Sequence, residues 1–102
     1  ELYYNIGTYR AAAISFTNLL NNYPESQKAD EYKFMIIKSY YLYAGLSIEA
    51  KRKERYEKVI EEYYDFNDRF PESKLLKDAE KYFNLSKNNL KAINNEQTDK
   101  KS

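Results

Sequence analysis

The chain has 102 residues, 42% of them hydrophobic, enough for one small domain or a piece of one. It contains neither cysteine nor histidine, which removes disulfides, thiol nucleophiles, imidazole acid–base chemistry and the usual zinc ligands together. Seventeen basic against sixteen acidic residues leave a formal charge of +1, too even to suggest a polyanionic partner.

Gly and Pro occur only twice each, so long helices are allowed and tight hairpins nearly excluded, and the expected class is all-α. The apolar run Phe34 to Ile37 is cut by Lys38, and no run approaches the roughly 20 residues a membrane-spanning helix needs. In chain order, Glu1 opens inside an apolar stretch, Leu2, Tyr3 and Tyr4, without initiator methionine, signal peptide or helix start. This reads as a piece of a longer chain, with the tail of a helix at residues 1–5 and any targeting signal lying upstream.

A first full helix is expected over about 8–22, stopped by Pro24. A second, over about 26–44, takes Ser26 as its N-cap. Its apolar residues, Tyr32, Phe34, Met35, Ile36, Ile37, Tyr40, Tyr41, Leu42 and Tyr43, surround the axis, so it should be covered on more than one side. Gly45 and Ser47 mark its end and the N-cap of the next helix, at about 48–69, which the charged run Glu49 to Glu57 extends backwards into an unusually long element. A fourth helix follows Ser73 over about 74–93, and residues 94–102, polar throughout, read as a disordered tail.

The chain repeats itself. YRAAAISFTNLLNNYPES, residues 9–26, aligns without a gap on YEKVIEEYYDFNDRFPES, residues 56–73. Tyr9 meets Tyr56, Ala12 meets Val59, Phe16 meets Tyr63, Leu19 meets Phe66 and Tyr23 meets Phe70, at helical steps of three and four. The offset, 56 − 9 = 47 residues, exceeds the 34-residue tetratricopeptide unit, and the surplus falls around Gly45 to Glu57. Residues 1–93 are therefore expected to form a tetratricopeptide-like solenoid of helix pairs.

The paired Tyr-Pro-Glu-Ser and Phe-Pro-Glu-Ser endings, with the stretches YYNIGTYRAAAISFTNLLNNYPES and LSIEAKRKERYEKVIEEYYDFNDRFPESKLLKDAEKYF, resemble the C-terminal repeats of the BamD lipoprotein family, in the form found in Bacteroidetes. The resemblance covers roughly residues 2–86. It implies a scaffold subunit of the outer-membrane β-barrel assembly (BAM) complex. Such a subunit sits on the periplasmic side of the outer membrane, anchored by an N-terminal lipid outside this stretch. It also implies a BamA-like barrel subunit and other assembly proteins as partners, and no catalysis.

Candidate contact residues follow from charge and helical position. Lys51, Arg52, Lys53 and Arg55 form the densest basic cluster. Glu49 with Lys53, Glu54 with Lys58 and Lys58 with Glu62 are i,i+4 pairs, so an ordinary solvated face explains much of it. Arg52 and Arg55 instead prolong the stripe of Tyr56, Val59 and Tyr63, where an arginine needs a partner, and together they are expected to weaken partner binding when replaced without unfolding the chain. Arg10 opens a repeat helix, as a surface cation or a contact. Tyr40 and Tyr41 point about 100° apart, leaving one, taken as Tyr41, for a partner. No cofactor or metal is expected: Glu61 with Glu62 and Asp78 with Glu80 lack any completing ligand. The KRKER string lacks the signatures of nucleic-acid modules. A general tetratricopeptide adaptor binding a peptide or protein is the alternative function.

Overall fold

The computed structural model describes residues 2–101, with the side chains of residues 6–96, and folds them into four helices with no strand among the described residues. These are α1 (Leu2–Asn22), α2 (Ala29–Leu46), α3 (Glu49–Arg69) and α4 (Leu76–Lys101). The all-α class is as the composition implies. Each helix packs on the next in chain order; α2 also reaches α4, whereas among the described residues α1 packs on neither α3 nor α4. The result is an elongated slab of about 50 × 30 × 18 Å.

The repeat seen in the sequence is a repeat of backbone geometry. In the first turn Tyr23 N–H donates to Leu19 O (2.9 Å), Ser26 N–H to Tyr23 O (3.1 Å) and Ala29 N–H to Ser26 O (3.0 Å). Forty-seven residues on, Phe70 N–H donates to Phe66 O (2.8 Å), Ser73 N–H to Phe70 O (3.1 Å) and Leu76 N–H to Ser73 O (3.2 Å). The serine hydroxyls also match: Ser26 Oγ accepts from Lys28 N–H and Ser73 Oγ from Leu75 N–H, both at 3.1 Å. Each serine hydroxyl takes up an amide two residues on, but the N-cap of α2 is Lys28, without a side-chain cap, so Ser26 lies in the turn before the helix and not at the N-cap position expected of it. The regular helices begin three residues later than the serines, at Ala29 and Leu76. Ser73 Oγ further donates to Asp30 Oδ2 at 2.6 Å, tying the second turn to the start of α2.

Elsewhere the elements depart from the sequence reading. The expected break between a tail at 1–5 and a helix from 8 is absent, because α1 runs continuously from Leu2 through Gly7; residue 1 lies outside the described residues. One glycine costs a helix about 1 kcal/mol against alanine, which lowers stability without ending the helix. At the other end, α4 continues past Asn94 to Lys101 in place of a disordered tail, since no glycine or proline after Pro71 interrupts it. Gly45 lies inside α2, and Ser47 is the C-cap of α2 and not the N-cap of α3. Its N–H donates to Ala44 O (3.1 Å) and its hydroxyl to Tyr43 O. Ile48, with extended backbone, occupies the N-cap position of α3 and offers no side-chain cap. The charged run 49–57 does belong to α3, giving it 21 residues, the same as α1 and fewer than the 26 of α4.

The helix with apolar residues all round is enclosed as its pattern requires. Ile37 joins Val59, Tyr63 and Phe66 of α3 and Ala79 of α4 in one core cluster, while Ile36, on the next face, joins Leu20 of α1 and Ala29. Tyr63 stacks on Phe83 with ring centroids 4.4 Å apart. The repeat predicts inward stripes of equal depth, and here α1 and α3 differ. Val59 and Phe66 are fully buried, but their counterparts Ala12 and Leu19 are only half-buried, and α1 buries Ala13 and Leu20 instead. The reason is that α3 lies between α2 and α4, whereas among the described residues α1 meets α2 alone.

One charge lies in this interface. Lys33 on α2 is 5% exposed, and its ammonium pairs with Glu62 and with Asp65 (2.6 Å) across the α2–α3 seam. Glu62 also meets Lys58 at 3.1 Å, and Asp65 meets Arg69 at 3.3 Å. Burial alone would raise the Asp65 carboxyl, but hydrogen bonds and charge from Lys33 and then Arg69 outweigh it and hold the group below its usual range. A carboxyl lowered on folding contributes stability that is complete above its unfolded value, near pH 4, and is lost as the pH falls through the lower folded value. Asp65→Asn should therefore flatten the acid limb of a stability-versus-pH curve. Glu62→Gln with Asp65→Asn, which leaves Lys33 buried without an anion, should cost about 3 kcal/mol in urea unfolding, more than Lys33→Met.

The Ser86 hydroxyl on α4 is fully buried with no hydrogen-bond partner among the described residues. Ser86→Ala should raise stability by about 1 kcal/mol in the same assay, because it removes an unmatched polar group at little cost in packing.

Candidate functional site

The loop joining α2 to α3 is only two residues long, Ser47 and Ile48, and its geometry is held by arginines. Arg52 Nε donates to Ser47 O at 2.9 Å, and Arg55 Nη1 donates to Ser47 Oγ at 2.6 Å. The Arg55 guanidinium also lies over the Tyr43 ring, 4.1 Å from its centroid. Both cations sit at the C-terminal end of α2, where carbonyls lack intrahelical donors and the helix dipole favours positive charge. The partners that the stripe position of Arg52 and Arg55 demanded are therefore within the chain.

This arrangement opens a groove between α1 and the α2–α3 turn. It is lined by Ile6, Gly7 and Arg10 of α1, Tyr43 of α2, Ile48, and Lys51 and Arg55 of α3, with a volume of about 350 Å³. Arg10 and Arg55, 45 residues apart, thus share one site. Arg10 is exposed and forms no ion pair among the described residues, and Lys51 has only a loose contact with Glu54 at 3.8 Å, both half-exposed. Among the described residues no carboxylate lines the groove, and Ile48 stands 70% exposed at its edge.

Two candidates fall elsewhere. Arg52 does not line the groove. Tyr41 is half-buried, its ring 5.9 Å from Tyr56 and 5.2 Å from Tyr82, so it packs inside the α2–α3–α4 seam and does not stand free for a partner. Tyr40 is also half-buried, bridging the two core clusters with the Lys58 ammonium 5.7 Å from its ring. The 100° between neighbouring tyrosines is accommodated because α2 offers two covered seams. Burial, followed by the Tyr41 hydroxyl, raises the Tyr56 phenol above its ordinary value against the opposing pull of Arg52, so it stays neutral at physiological pH.

Ile6, Tyr43, Ile48 and Lys51 were not legible as one site. The available signal was Ile48, an isolated large apolar residue between a cap serine and a charged run. A second groove, of about 600 Å³, lies between the two Pro-Glu-Ser turns, with Phe34, Met35 and Leu75 beneath Asp30, Glu72 and Lys74. Asp30 there is occupied by Ser73 and by its neighbour Glu31 N–H at 2.9 Å. No group of three or more Asp or Glu among the described residues is placed to hold a metal ion, and no helix is long and apolar enough to cross a membrane.

Neither known protein-family models nor curated proteins match this sequence.

Because Arg55 holds the turn, its replacement should cost stability quite apart from any contact with a partner. Arg55→Ala should lower stability by about 1–2 kcal/mol in urea unfolding, through loss of the Ser47 hydrogen bond and the Tyr43 cation–π contact. Arg10→Ala should change it by less than about 0.5 kcal/mol.

Proposed function

We propose that this chain is a tetratricopeptide-like segment of a non-catalytic scaffold, and that it serves the outer-membrane β-barrel assembly complex by binding the periplasmic part of a BamA-like barrel subunit. The observation that carries the scaffold reading is the second occurrence, 47 residues on, of the same Pro-Glu-Ser turn with the same hydrogen bonds. The contact order supports it too. With α1 and α3 as equivalent members of successive pairs, α2 leans on α4 as like helices of neighbouring units do in a stacked array. The choice of complex rests on the resemblance of the two quoted stretches to the BamD family, and the periplasmic location follows from that resemblance alone.

In this reading, binding geometry is the mechanism. Stacked helices need little reordering on association, so a modest surface can bind usefully. A general peptide adaptor is the second reading, favoured by the open, cation-rimmed groove, which is sized for a peptide and not tied to one complex.

A tagged full-length protein purified from solubilised outer membranes tests the choice. The proposal expects near-stoichiometric recovery of a barrel-forming subunit, identified by mass spectrometry. Recovery of soluble proteins alone would discard the assembly-complex role and put the adaptor in its place.

A further inference from the structure

We infer that the groove between α1 and the α2–α3 turn binds an acidic peptide segment carrying one apolar anchor residue. This rests on the scaffold reading only in taking the chain to be a protein-binding module.

Charge is the first ground. The chain as a whole is balanced, seventeen bases to sixteen acids, yet Arg10, Lys51 and Arg55 converge on one groove with no carboxylate in its lining among the described residues. A partner supplying acidic groups meets no like charge there, and Arg10 is open to bidentate carboxylate pairing. Arg55 is already fixed by Ser47 and Tyr43, so it loses little freedom when a ligand arrives.

Apolar surface is the second ground. Ile6, Tyr43 and Ile48 lie among the cations, and Ile48 keeps 70% of its surface in water at a position where a helix-capping polar residue would ordinarily serve. A volume of about 350 Å³ is at the small end of ligand sites, which suits one inserted side chain with its flanking backbone. The combination selects against other anions. A free phosphate would leave Ile48 uncovered. Single-stranded nucleic acid needs an open aromatic face for stacking, and the face of Tyr43 is taken by Arg55.

The test is selection of a phage-displayed library of random twelve-residue peptides on the full-length protein, followed by fluorescence polarisation with the most enriched peptide. Enriched sequences should place Asp or Glu on both sides of a branched aliphatic or aromatic residue. Arg10→Glu with Lys51→Glu, and separately Ile48→Ser, should each weaken binding at least tenfold while leaving the circular dichroism and thermal midpoint unchanged. The inference is overturned by basic or uncharged consensus sequences, by no enrichment, or by undiminished binding to either variant. Competition by a twelve-nucleotide single strand as strong as by the unlabelled peptide would likewise overturn it, showing charge attraction without an anchor site. Repeating the outer-membrane purification with the Arg10/Lys51 variant separates the two proposals. A barrel subunit still recovered would leave the scaffold role intact without the groove, whereas peptide binding with no barrel subunit in wild type would leave the groove and remove the complex.

Discussion

A helix with apolar side chains on every face is unstable in water unless other elements enclose it, and α2 is such a helix. Its residues Ile36 and Ile37 point to adjoining faces and are both fully buried, so no single neighbour can serve both. Helix α1 covers the first, α3 and α4 the second. The paired turns follow from this requirement: the first Pro-Glu-Ser segment ends the covering helix α1 and starts α2 itself, and the second ends α3 and starts α4, each returning the chain within a few residues. Burial of a residue such as Phe66 contributes about 2–3 kcal/mol, so enclosure of α2 and its neighbours dominates over any single polar contact.

The same arrangement makes stability uneven along the chain. Helix α3 is held from two sides, with Val59 and Phe66 fully buried and Lys33 cross-linking it to α2. Among the described residues helix α1 has one neighbour, and Ile14 on it and Tyr23 just past its end remain substantially exposed. The groove lies where these regimes meet. One wall, Tyr43 with Arg55, belongs to the rigid α2–α3 turn, and the other, Ile6 to Arg10, belongs to the more lightly held helix. A binding site with one fixed and one adaptable wall keeps most of its geometry before a partner arrives and can still adjust to it.

How much of this was legible depended on whether the cause was local. The turns could be read because proline ends a helix and the serine hydroxyl binds an amide two residues on, although the cap position itself falls later, at Lys28 for α2. The enclosure of α2 could be read because its apolar residues follow no single stripe. The role of Ser47 could not, since a cap serine fits the end of one helix as well as the start of another, and Arg52 and Arg55 settle the matter from five and eight residues away. Tyr41 packs inward, not toward a partner, because the 100° between it and Tyr40 matches two of the covered sides of α2. Lys33, next to an apolar run, carries no local sign of its partners, because it is tied to α3 by acids 29 and 32 residues on. The groove was half visible: Arg10 and Arg55 stood out as charges, but their convergence depends on how α1 crosses the α2–α3 turn, which no local pattern encodes.

Amide hydrogen exchange on the full-length protein, read by mass spectrometry or NMR, tests the central position of α2 most directly. Amides of Ile36 to Tyr41 should exchange only through global unfolding, together with those of Val59 to Phe66, while amides of residues 8–14 in α1 exchange faster through local opening. Protection of residues 8–14 equal to that of Ile36 to Tyr41, or rapid exchange within α2 itself, would contradict an architecture built around α2.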